Sequence, residues 1–126
     1  MGRIVTAVKI ENALDPSRKI EVDAVVDVDA YIMTLPDAWR DKLGELPVSR
    51  QITVGGPGER TSAGEICGPV YVQIAGFRRI ASEVLFTEMK RLAGEYQPAI
   101  GHITLEQSQA AVDNANQRLI QIPIRV

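Results

Sequence analysis

Asp27 and Asp29, separated only by Val28, are the residues of this chain best placed to do chemistry. They follow the apolar pair Val25-Val26 and lead through Ala30 into Tyr31-Ile32-Met33-Thr34-Leu35-Pro36. Two carboxyl groups spaced i, i+2 in an extended segment point to one face. Beside valines they would be partly desolvated and would repel one another, and both effects raise a carboxyl pKa. A carboxylic acid tuned in this way can hold or donate a proton near neutral pH. The same four residues also read as an ordinary polar turn after a strand, because aspartate is a common turn residue.

The elements that must position this pair can be read from the patterning around it. Ile20, Val22, Ala24 and Val26 alternate with Glu21, Asp23 and Val25, which predicts a strand ending at Asp27. Ile4, Thr6, Val8 and Ile10 predict a strand before it, with a turn over Asn12 to Ser17 around Asp15-Pro16-Ser17. Further strands are expected at Gln51 to Val54, Glu65 to Cys67, Val70 to Ile74, Ile80 to Phe86 and Leu119 to Val126, with a turn at Gly76. Proline at its start and Gly44 as its stop predict a helix over Pro36 to Leu43. A second helix is expected over Leu105 to Ala111, entered by Thr104 with Gln107 three residues on, and a helical turn over Thr87 to Leu92, stopped by Gly94. Many short strands with few helices predict an all-β barrel or sandwich.

Composition narrows the classes of function. The 126 residues show no composition break and predict one domain. One cysteine, Cys67, and one histidine, His102, exclude an internal disulfide and a typical structural zinc cluster. The expectation is therefore no metal and no cofactor. Cys67 reads as a small packing residue, His102 as a partner beside a turn, and Trp39 as an anchor for the first helix. A net charge of -2, two isolated basic doublets and 5% aromatic residues argue against nucleic acid as a partner. No apolar run approaches the roughly 20 residues that span a bilayer, and the first residues lack an apolar signal core, so no membrane and a cytoplasmic location are expected. The corner Gly55-Gly56-Pro57-Gly58 has neither the lysine nor the hydroxyl residue of a phosphate-binding loop, and reads as a hairpin tip.

Taken in order, these motifs resemble the retroviral-type (retropepsin-like) aspartic proteases, in particular small stand-alone bacterial members. Val26-Asp27-Val28-Asp29-Ala30 and Leu35-Pro36 are similar to the family's apolar strand, its Asp-Thr/Ser-Gly-Ala loop and its Leu-Pro stretch. The segment Gly55, Gly56 and Gly58 resembles the substrate-covering flap. Ala99-Ile100-Gly101 followed by His102-Ile103-Thr104-Leu105-Glu106 resembles the apolar-apolar-Gly motif and late helix, and Val112 to Leu119 the closing turn and strand. The resemblance implies a closed, acid-protease-type β-barrel working as a homodimer, with Asp27 as the catalytic carboxylate supplied by each subunit. It also implies an active-site loop of Val28, Asp29 and Ala30, loop support from Ile100 and Gly101, and a peptide or protein substrate.

Two positions depart from the family pattern. Val28 stands where the family has a hydroxyl residue, and so lacks the hydrogen bond that holds the two loops together. Asp29 stands where it has glycine, adding a side chain and a second charge beside Asp27. Three functional readings follow: an aspartic-type endopeptidase; a catalytically inactive homologue acting as a peptide-binding or regulatory dimer; and a divalent-cation binder built from the clustered carboxylates, with His102 as a further ligand.

Overall fold

The computed structural model describes residues 3–55 and 61–124. The alternating N-terminal segments form β1 (Val5–Asn12) and β2 (Asp15–Val26), antiparallel from Val5 opposite Val25 to Glu11 opposite Lys19. Val8 and Ile10 of β1, and Ile20 and Ala24 of β2, are buried, as period-two alternation requires when one face meets the core. The turn between them is shorter than the expected Asn12 to Ser17, and Asp15 already belongs to β2. The reason is the Asn12 side chain, whose Oδ1 accepts the Leu14 N–H at 2.8 Å and closes the turn locally.

The chain then passes through β3 (Met33–Pro36), a short 3-10 turn (Asp37–Trp39) and α1 (Arg40–Leu43), where Gly44 at φ 70° ends the helix as expected. Trp39 packs against the core and meets Tyr96 edge to face at 5.9 Å. Next come β4 (Val48–Val54), β5 (Ser62–Ile74) and β6 (Ile80–Thr87). The segments expected as separate strands at Glu65 to Cys67 and Val70 to Ile74 are halves of the single strand β5, whose register against β6 shifts between Cys67 and Val70. The first half of β5 pairs with β4 and the second with β1. A two-residue strand, β7 (Ala99–Ile100), lies between β2, to which it is parallel, and β3, to which it is antiparallel. The sheet order is β1-β2-β7-β3-β6-β5-β4, with β1 also paired to β5. A separate hairpin of β8 (Ala110–Asp113) and β9 (Arg118–Gln121) follows α2 (His102–Gln107).

The protein is thus mostly β-sheet with few and short helices. Two helical expectations are corrected. α2 begins at His102 rather than Leu105, and Ala110 and Ala111 are strand; Gln109 at φ 58° breaks the helix and its carbonyl accepts the Ile122 N–H at 2.9 Å. Thr104 therefore lies inside α2 rather than capping it. Thr87 to Leu92 holds no helical turn: Thr87 closes β6, and Leu92 pairs with Glu95 across a tight turn at Ala93 and Gly94, both at positive φ. Of the expected strand from Leu119 to Val126, β9 ends at Gln121 and residues 122–124 are not strand, while Val126 and its predecessor lie outside the described residues. Gly56 and Gly58 lie outside the described residues. Among the described residues no helix is long and apolar enough to cross a membrane.

Beneath the sheet, Phe86, Leu35, Ile10, Ile74 and Ile100 are fully buried and form one continuous cluster with the aliphatic residues of β5. Asn12, only 2% exposed, ties α1 to this core by donating from Nδ2 to the carbonyls of Leu43 and Glu45 at 2.8 and 2.9 Å. Replacing it leaves three backbone groups without their partner, and each buried orphan costs about 1–3 kcal/mol. Asn12→Ala is expected to lower the urea unfolding free energy by at least about 2 kcal/mol on that basis. An unchanged midpoint would show that these three bonds do not hold α1.

Candidate active site

The sequence Asp27-Val28-Asp29-Ala30 forms the turn that leaves β2. Its entry is fixed by backbone: Val25 N–H donates to Pro98 O at 2.9 Å, Val26 N–H to Ile4 O at 2.9 Å, and Asp27 N–H to Ile100 O at 3.0 Å. Ala30 N–H then returns to Asp27 O at 3.1 Å, and Asp27 Oδ1 accepts the Asp29 N–H at 3.0 Å. The aspartates are therefore not on an extended segment, and the period-two argument for a shared face does not apply to them. The polar-turn reading describes the local backbone. Aspartate suits it because its short side chain can accept a hydrogen bond from the backbone two residues on.

Beyond the turn, Ala30 O accepts the His102 N–H at 2.9 Å, and Tyr31 O accepts the Ile103 N–H at 2.9 Å. His102 Nδ1 also lies 2.7 Å from Ala30 O. Because a carbonyl only accepts, Nδ1 carries the proton and Nε2 is left for another partner. Met33 N–H, buried, donates to Thr104 Oγ1 at 2.9 Å. The junction of β7 and α2 thus holds the loop from Asp27 to Met33 along its length. Gly101 sits at the closest approach: a Cβ built there would lie 2.4 Å from both Tyr31 C and Ile32 N. Only glycine lets the two backbones meet so closely.

Asp27, Val28 and Asp29 face solvent, and Val28 is 54% exposed. Ile100 is fully buried beneath them. Gly55 directly follows β4, whose residues Ile52 and Val54 pack against the cluster of Ile32, Ile66 and Leu85 together with Ile103. Ile32, which follows the loop, and Ile103, which follows Gly101, thus share a buried cluster with β4.

Two residues not singled out in the sequence join this surface. Arg50 of β4 donates from Nη2 to the Tyr31 hydroxyl at 3.4 Å and lies 5.8 Å from the centre of its ring. The Tyr31 ring in turn meets His102 edge on, at 6.0 Å. Arg50 shares the parity of Ile52 and Val54, so alternation places it on their face of β4, but which neighbour that face meets follows only from the pairing of β4 with β5. Among the described residues no group of three or more His, Cys, Asp or Glu side chains is gathered to hold a metal ion.

Cys67 lies on the far side of β5 in another environment. Arg40 there bridges Asp37 at 3.2 Å and Glu65 at 2.6 Å, stacks over Phe86, and brings Nη1 to 3.8 Å from the Cys67 sulfur. Burial pushes the Cys67 thiol above its ordinary value despite the opposing guanidinium. This is the packing thiol expected from the sequence, without a base to activate it.

No protein-family model matches this chain, and a comparison with curated proteins likewise gives no match.

Two outcomes test this geometry. Gly101→Ala is expected to cost at least about 2 kcal/mol, since overpacking against backbone typically costs ~1–3 kcal/mol and here neither neighbour can rotate away; chemical denaturation with unchanged stability would contradict the close approach. Cys67 is expected to be unreactive towards a thiol reagent in the native protein and to react fully in denaturant. Rapid native labelling would refute its burial.

Proposed function

We propose that this chain is an aspartic-type endopeptidase of the retropepsin-like kind, acting as a homodimer to which each subunit contributes Asp27. The observation that carries the reading is the exposed Asp27–Ala30 turn, held by the hydrogen bonds of Asp27 N–H to Ile100 O and of His102 N–H to Ala30 O, and by the contact that Gly101 alone permits. A rigid scaffold holding a carboxylate at the surface is what acid/base hydrolysis needs, because small errors of position cost large factors in rate. Strand pairing that leads from β1 round to β5 and back to β1 supports a closed barrel of the acid-protease type. Val28, a 54% exposed valine between two charged neighbours, supports a partner copy over the loop. Ile120, Ile122 and Ile124, exposed at or beyond β9, give the C-terminal segment a further apolar surface for that partner.

In the dimer the two Asp27 carboxyl groups come within about 3 Å and share one proton. The ionised member removes a proton from a water molecule, which attacks the peptide carbonyl. The protonated member donates to the developing oxygen, and the pair titrates as a unit. No cofactor enters the reaction. Val28 fills the turn without a hydroxyl to bridge the subunits, and Asp29 adds a second carboxylate from each chain near the two-fold axis.

A second reading has an observation of its own. Asp27 Oδ1 is already engaged by the Asp29 N–H, and Asp29 carries a side chain where the glycine of the family pattern has none. On that reading the dimer binds peptides without cleaving them.

A degenerate peptide library incubated from acidic to neutral pH separates the two. The native chain is expected to cleave, and Asp27→Asn to lower the rate by roughly 10²–10⁴-fold, the usual contribution of a positioned acid/base group. The double variant Val28→Thr, Asp29→Gly is expected to cleave faster, because a hydroxyl that can bridge the subunits is supplied and the second carboxylate is removed. Cleavage by the double variant alone would establish the binding-only reading for the native chain, and cleavage by neither would overturn the endopeptidase reading.

A further inference from the structure

Arg50 offers a positive charge beside the candidate cleft that no described residue neutralises. It forms no salt bridge with a described residue, whereas Arg40, Arg79 and Arg118 all do. Its partner is the Tyr31 hydroxyl, which accepts from Nη2 at 3.4 Å. A phenol that accepts in this way keeps its own proton to donate, and the guanidinium keeps its remaining N–H groups. Arg50 is exposed and Tyr31 is 44% exposed, so both sets of donors reach solvent. His102 meets the Tyr31 ring edge on, and the Tyr31 backbone is fixed by the Ile103 N–H. Next to Arg50 on the same face of β4, Ile52 and Val54 are apolar and half-buried.

We infer that Arg50 and Tyr31 form a carboxylate-binding subsite, so that the chain selects peptides carrying Glu or Asp at one position, flanked by apolar residues. The inference rests on the proposed peptide cleft. Guanidinium and phenol converge on a carboxylate as planar and single donors, a pairing that a neutral amide cannot match in strength. The acidic residue does not belong beside the scissile bond, where Asp27 and Asp29 repel it. It belongs on the arm of the peptide that passes over Tyr31. The subsite's apolar flank is supplied by Ile52 and Val54.

The test uses the full native chain and peptide pairs that differ only by Glu against Gln at each position of one cleaved sequence. Glu is expected to raise kcat/KM about tenfold at a single position away from the bond, the scale of one charge-assisted hydrogen bond at a solvated site. Arg50→Gln is expected to abolish the preference, Arg50→Glu to convert it into a preference for Lys, and Tyr31→Phe to reduce it. The Arg50 variants should melt with the native protein, since the side chain is exposed. Cleavage without a Glu preference, or a preference that Arg50→Glu leaves unmoved, would overturn the subsite while the endopeptidase reading stands. If the native chain cleaves nothing, fluorescence polarisation of the same labelled peptides decides: Glu-selective binding lost in Arg50→Gln supports the subsite without catalysis, and unselective or absent binding overturns it.

Discussion

The insertion of β7 between β2 and β3 is the constraint on which the candidate site depends. Two strands consecutive in sequence do not pair with each other; Ala99 and Ile100 occupy the space between them. The loop joining those strands must therefore pass over the end of the inserted strand, and the backbone groups at that end become its anchors. Asp27 donates to Ile100, while Ala30 and Tyr31 accept from His102 and Ile103. A backbone bond of this kind left unmade costs more than a made one contributes. The loop's ends are held by backbone groups of the inserted strand, while the Asp27 side chain closes the turn between them through the Asp29 N–H.

Gly101 is the residue on which that insertion turns. Any side chain there would push the β7–α2 junction away from Tyr31 and Ile32, and Ile100 would lose its buried seat with it. Thr104 adds a second tie from within α2, through its hydroxyl to Met33 at the start of β3. Elsewhere in the molecule Asn12 and Arg40 do comparable work by other means, a buried amide and a guanidinium that join α1 and its preceding turn to the sheet. The protein is thus pinned at two places by polar groups whose partners are far apart in sequence, around a core of aliphatic residues.

Much of this is legible in the residues. Alternation finds β1, β2, β4 and β6, and Gly44 ends α1, because those signals are local; Pro36 instead closes β3 and leads into the 3-10 turn, so α1 begins at Arg40 rather than at the proline. The aspartate turn is legible as a turn, but its extended-face reading is not sustained: the Asp27 side chain satisfies the Asp29 N–H, a choice that alternation does not encode. Thr104 reads as a cap and so places α2 three residues late, whereas its hydroxyl serves a backbone group 71 positions away. The segment Thr87 to Leu92 looks helical by composition, but two consecutive positive-φ residues fold the chain back on itself just beyond it. Arg50 and Tyr31 can be joined only once the pairing of β4 with β5 is known, since that register decides which face of β4 meets the loop.

The central claim is that two copies of the Asp27–Ala30 turn meet across a two-fold axis. Val28→Cys in a Cys67→Ala background tests it directly, because a disulfide forms only when the two Cα atoms lie within about 4.4–6.8 Å of one another. Mild oxidation at micromolar protein is expected to give a dimer on a non-reducing gel, reversed by thiol and prevented by prior unfolding. A protein that stays monomeric, with the introduced thiol still titratable, would contradict the shared site.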